Sequence, residues 1–99
     1  MDGQDIAQRA IDLVYGDRQK TYGHPLDNFD RAAKLWSVIL DKEVTAEQVC
    51  LCMEAMKIAR EIHVPKLDNS IDGIGYWLVL AEIRQERIRR AIPDTMKEC

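Results

Sequence analysis

No apolar run in this chain approaches the ~20 residues needed to cross a bilayer. Its first residues, Met1-Asp2-Gly3-Gln4-Asp5, lack the basic-then-apolar pattern of a secretory signal. The two absences together point to a cytoplasmic protein without a membrane partner. The three cysteines, Cys50, Cys52 and Cys99, form no disulfide framework. Their count is odd, and residues two apart on a helix point in different directions. No Cys/His set has zinc-ligand spacing, and the surroundings of His24 and His63 are dissimilar. Aromatics are only 6% of the chain, no basic block occurs, and 14 Lys and Arg are interspersed with 17 Asp and Glu for a net charge of −3. That pattern leaves no footprint for a nucleic-acid polymer. The late cluster Arg84, Arg87, Arg89 and Arg90 reads instead as cations complementing a helix C-terminus.

What is present is helical. With 99 residues, 46% hydrophobic and 31% charged, the chain has the balance of one folded domain with one core. Ile6, Ala10, Leu13 and Val14 repeat at helical spacing and predict a first helix over about 5–14, with Gly16 near its C-cap. Residues 17–24 read as a polar loop. Pro25 suits the first position of a second helix, whose stripe is Phe29, Ala32, Ala33, Trp36, Ile39 and Leu40. Thr45 and Gln48 form a capping box that opens a third helix running to about His63, with Val49, Cys52, Met53, Met56, Ala59 and Ile62 as its buried stripe. Of Cys50 and Cys52, both small helix-face residues, one is expected inside. Pro65 stops that helix. A fourth begins near Asp68 to Ser70 and ends near Ala91, before Pro93. No strand pattern competes, and residues 94–99 are expected to fray. The expectation is an all-α antiparallel bundle of four to five helices over residues 1–99. The fourth helix is apolar over more than one stripe, through Trp77, Leu80 and Ile83 as well as Ile71, Ile74, Leu78, Ala81 and Ile88. That surplus predicts completion by self-association, as a homodimer or homotetramer.

The densest chemistry sits at 65–76. Asp68 and Asp72 are one turn apart on one helix face, so their charges repel by a few tenths of a kcal/mol (roughly 0.2–0.5) unless something offsets them. A helix N-terminus, a cation or a metal would serve. Glu54, Lys57 and Glu61 share a face of the preceding helix, and Arg60 is close by. If the two faces meet, Glu54, Asp68 and Asp72 supply oxygens of the kind Mg²⁺ takes, while Lys57 and Arg60 can hold phosphate oxygens. The same charges also read as solvated surface pairs, and Asp68 as a plain N-cap. Gly73 and Gly75 each cost about 1 kcal/mol in a helix relative to alanine. They mark either a close approach by a helix or ligand, or a loosened first turn. A second constellation is Tyr22-Gly23-His24-Pro25 with Asn28. A proline-initiated helix offers free N–H groups to an anion. Tyr22 offers a stacking face, His24 a titratable nitrogen and Asn28 an amide for a base edge. Each of these three also reads as a loop anchor, and Phe29 and Trp36 read as core.

Tyr22-Gly23-His24-Pro25 with Asn28-Phe29, Leu35-Trp36-Ser37, Lys57-Ile58-Ala59-Arg60 and Asp68 through Tyr76 together resemble a small helical domain family found in phage genomes. That domain is similar in turn to the MazG-like all-α nucleoside triphosphate pyrophosphatases. Their E-E-x-x-E and E-x-x-D motifs hold Mg²⁺ on adjacent helices and split NTP into NMP and pyrophosphate. Glu54 and Asp72 match that pattern. Met53, Lys57 and Asn69 stand where it has acids, and Asp68 is one residue from the missing position. The resemblance implies a MazG-like fold and a Mg²⁺-dependent nucleotide pyrophosphohydrolase. Glu54, Asp68 and Asp72 would be its metal ligands, Lys57 and Arg60 its phosphate holders, and Tyr22, His24, Asn28 and Tyr76 would line the substrate. Glu61 and His24 are the general-base candidates. The altered acids also admit a non-catalytic nucleotide binder, and the apolar fourth helix admits a helical interaction module.

Overall fold

A computed structural model describes residues 1–93 and 95, so the fraying expected at 94–99 lies, apart from Thr95, outside the described residues. Among the described residues the chain is all-helical, with no strand. Helix α1 spans Gly3–Leu13 and is followed by a π-helical turn, Val14–Arg18, then by the short α2, Gln19–Tyr22. Helices α3 (Pro25–Leu40), α4 (Ala46–His63) and α5 (Leu67–Ala91) complete the chain.

Local chemistry sets each boundary. Asp2 and Asp5 form a reciprocal capping box at the start of α1. The expected loop at 17–24 is a correction: the chain stays helical to Tyr22. Gly16 has φ −99° and ψ −107°, outside the helical region and also outside the left-handed region that a glycine C-cap uses. It absorbs a kink within the π turn, and the helix resumes. The left-handed stop comes at Gly23, with φ 78°. His24 then caps α3, its Nδ1 accepting the Leu26 N–H at 3.0 Å, with Pro25 at the first helical position. α3 ends on Asp41 in the left-handed region, and Ser37 closes the turn: its Oγ donates to Ala33 O and accepts from Val44 N–H. Thr45 and Gln48 make the capping box expected for α4.

α5 crosses the molecule against α4, α1 and α3. The buried core is Val14, Leu26, Ala46, Cys50, Val79, Leu80 and Ile83, flanked by Phe29, Tyr76 and Leu78. Cys50 is the buried cysteine and Cys52 the exposed one. Burial, and then the nearby Glu54 charge, push the Cys50 thiol up to about 11, and it donates to Tyr76 O. It is therefore a packing group and not a nucleophile. Two expected stripes are corrected. Ile39 and Leu40 are exposed because α3 runs past its packing partners at its C-terminal end. Cys52, Met56, Ala59 and Ile62 are exposed because α4 turns Ala46, Val49, Cys50 and Met53 inward instead. Trp77, Ala81 and Ile88 likewise lie outside the core. The arginine cluster does more than complement a dipole. Arg87 binds Glu47 of α4 and Asp30 of α3, and Arg90 binds Asp27 of α3 and Glu86 of its own helix. These pairs fasten the end of α5 to two neighbours.

Candidate functional site

The antiparallel packing of α4 on α5 brings the two charged helix faces together. Lys57 Nζ lies 2.7 Å from Asp72 Oδ2, and both side chains are largely covered. Lys57 is the cation that offsets the repulsion between Asp72 and Asp68. One turn earlier on α4, Glu54 rests against Gly73. A Cβ added at Gly73 would stand 2.9 Å from Glu54 Oε1, so this glycine leaves room for a carboxylate. Glu54 Oε2 is shielded from solvent and has no hydrogen-bond partner among the described residues. Burial raises the Glu54 carboxyl above its ordinary range. One turn later, Glu61 Oε1 accepts from Asn69 Nδ2 at 2.9 Å and from the Lys66 N–H at 3.0 Å, and these bonds hold its carboxyl low. Glu61 thus organises the α4–α5 turn. Gly75 is buried, and a Cβ there would meet Val14 Cγ2 at 3.4 Å. At both glycines the neighbours come close, which is the first of the two readings above.

Asp68 sits elsewhere. It does not cap α5, whose N-cap position is Lys66 without a side-chain cap. Instead it lines an acidic groove with Asp12, Asp17, Asp72 and Arg9, between α1 and α5. Arg60 lies at the far end of α4, in a groove with His63, Lys66 and Asn69. Glu54, Asp68 and Asp72 are therefore not one set. Among the described residues no three His, Cys, Asp or Glu side chains are placed to hold a metal ion. Glu54 faces Gly73, Asp72 is paired to Lys57, and Asp68 is exposed.

Of the second constellation, Tyr22, Gly23, Pro25 and Asn28 come together. Tyr22, Asn28 and Tyr76 line one cleft of about 290 Å³ between α2, α3, α4 and α5. Phe29 and Trp36 form its walls, so both do more than fill the core, and Val49, Met53 and Val79 form its floor. His24 is not among the lining residues; its Nδ1 is engaged in the α3 cap. Among the described residues Arg18 is the one charged side chain lining the cleft, and Gln19 adds an amide. Arg18 also borders a small crevice with Tyr76 and Asp72, the carboxylate that pairs with Lys57. A loop over 17–24 gives neither Arg18 nor Gln19 a fixed direction, so the sequence does not mark them as site residues. Read as helix, Val14, Arg18 and Tyr22 fall four apart on one face, and all three line the cleft. The arrangement offers ring faces for stacking, amides for a polar edge and one permanent cation, with no carboxylate in the wall.

A small all-helical domain with an aromatic, amide-bearing cleft is the class these features define. The chain belongs to the family described as Domain of unknown function (DUF6378), matched over residues 5–84. The "Gene 55 protein" of Mycobacterium phage D29 is 44% identical over 57 residues, covering 58% of this chain and 38% of that relative. The matched stretch therefore spans little more than a third of the curated relative's length. No solved structure matches the chain. No helix of the described residues is long and apolar enough to cross a membrane.

Proposed function

We propose that this protein binds a nucleotide, with the base in the Tyr22–Trp36–Tyr76 cleft and the phosphates running past Arg18 toward Lys57. The observation that carries this reading is the cleft wall: aromatic and aliphatic side chains, two amides, and Arg18 as the only charge among the described residues. A volume of about 290 Å³ suits one base with part of its sugar and not a polymer. Tyr22 and Tyr76 can stack on the base, and Asn28 can read its edge. Arg18 can take the first phosphate in bidentate fashion. Lys57 can exchange Asp72 for a more distant phosphate, since its ammonium is a point charge on a flexible stem. The phage relative supports a phage-encoded protein acting in the host cytoplasm, and the apolar helix faces support a homo-oligomer. The test is the melting temperature of the protein across a panel of NTPs, dNTPs and NMPs. A true ligand at 100 times its dissociation constant stabilises by roughly 2.7 kcal/mol. Arg18→Ala and Asn28→Ala should each abolish most of the shift without lowering the melting point of the free protein. A panel that leaves the melting point unmoved would refute nucleotide binding.

A second reading is the MazG-like pyrophosphohydrolase itself, with Mg²⁺ as its metal. Glu54 favours it: a matched motif acid whose shielded oxygen lacks a partner. Formation of NMP and pyrophosphate from any NTP, dependent on Mg²⁺ and on Asp72, would move the protein from binder to enzyme.

A further inference from the structure

The molecule is flat. Its extents are 49 × 38 × 20 Å, and its radius of gyration of 15.4 Å exceeds the ~12.6 Å expected of a compact chain this long. The thin dimension is that of two stacked helices. Helices α4 and α5 lie side by side with α3 against one side of the pair, and their other side is uncovered. On α4 that side carries Leu51, Ala55, Ile58 and Ile62, spaced four, three and four apart, all exposed, with Ile62 at 80%. On α5 it carries Ile74, Trp77, Ala81 and Ile88, spaced three, four and seven, with Trp77 at 58%. The two rows adjoin. Glu54, between Leu51 and Ile58, rests on Gly73, and Ile58 and Ile62 share a groove with Ser70.

We infer that this α4–α5 face is where a second copy of the chain docks, the two hairpins closing a four-helix bundle. Two features choose this occupant. The first is area. The rows run ~17 Å along α4 and ~21 Å along α5, each ~10 Å wide, so the flat projection alone is on the order of 400 Å² per protomer. A ridged helix surface exposes more than its projection. The projection alone thus falls within the roughly 300–600 Å² of the largest patch a monomer leaves bare, and the ridged surface brings the face toward the ~800 Å² that each partner of a stable complex contributes. The second is shape. The alternating three- and four-residue spacing is that of a helix seam packing against another seam at a small angle. An identical hairpin supplies two such seams, and an isologous contact needs only this one face. Stacking on it also doubles the thin dimension and leaves the Tyr22–Trp36 cleft, on the α3 side, open. The inference rests on this face alone and stands or falls separately from nucleotide binding.

The experiment is sedimentation equilibrium of the full chain over a micromolar dilution series, beside Ile62→Asp, Trp77→Asp and, as a control on a different apolar patch, Val38→Asp. Val38 is 80% exposed on α3. The wild type and Val38→Asp should sediment at twice the 11.4 kDa chain mass. Each face variant should raise the dissociation constant by at least about 100-fold while keeping its helical circular dichroism, because both side chains project from the fold. A monomeric wild type would assign the face to another partner and overturn the inference. A dimer that survives both face variants, or that only Val38→Asp breaks, would overturn it equally.

Discussion

Lys57→Met tests the centre of the α4–α5 contact. Lys57 and Asp72 keep only 13% and 17% of their side-chain surface in solvent, so the pair sits between two regimes. Exposed pairs contribute about 0–1 kcal/mol. Removing one partner of a fully buried pair costs about 3–5 kcal/mol, because a charge is left without compensation. A cost of about 2 kcal/mol follows for Lys57→Met, to which the unmasked repulsion of Asp68 adds a few tenths. Asp72→Asn should cost less, about 1 kcal/mol, because the lysine stem is long enough to carry its charge out to water and the short aspartate is not. The double variant Lys57→Met/Asp72→Asn removes both charges and should recover most of the loss. The assay is urea unfolding followed at 222 nm at one fixed protein concentration, so that any self-association contributes equally throughout. In a domain of this size 2 kcal/mol is roughly 8–16 °C in melting temperature. If Lys57→Met stays within ~0.5 kcal/mol of the wild type, or the two single effects simply add in the double variant, then the pair is a solvated surface contact. The proposed exchange of Lys57 from Asp72 to a phosphate loses its basis with it.

Two further perturbations address Glu54 and its glycine. Gly73→Ala should gain close to 1 kcal/mol from helix propensity, reduced by the displacement of Glu54 Oε1, the free end of a flexible side chain 2.9 Å from the new methyl. A net stabilisation of about 0.5 kcal/mol in urea unfolding is expected, and a loss above ~1 kcal/mol would mean that Glu54 is rigidly held. The second concerns pH. Burial raises the Glu54 carboxyl in the folded state, so its contribution is full below the ordinary Glu value of about 4.3 and is lost as pH rises through the folded value. Glu54→Gln should therefore match the wild type in thermal stability near pH 4 and exceed it at pH 7. A stability difference that stays flat between those pH values would falsify the burial argument.

The helical part of this fold was legible because its boundaries are written in short-range chemistry. Thr45 with Gln48, Pro25 after His24, and Pro65 and Pro93 after their helices act within a turn of where they stand, so their effect can be read without knowing the fold. What the helices bury could not be read in the same way. Met56, Ile62, Ile39 and Leu40 have the spacing of a core stripe, yet they are exposed. Periodicity shows that a face is apolar but not which neighbour, or which copy of the chain, covers it. The candidate site divides along the same line. The meetings of Glu54 with Gly73, Lys57 with Asp72 and Glu61 with Asn69 follow once α4 and α5 are antiparallel, since each contact lies one turn from the last. Asp68 shares with Asp72 a groove against α1, a contact no spacing within 54–76 encodes. Arg18 was hidden by a single misread glycine. A glycine that absorbs a kink at negative φ and one that ends a helix at positive φ are the same letter; here the first is Gly16 and the second Gly23. The one cation in the cleft wall was therefore the residue hardest to foresee, and Arg18→Ala is the substitution on which the nucleotide reading most directly depends.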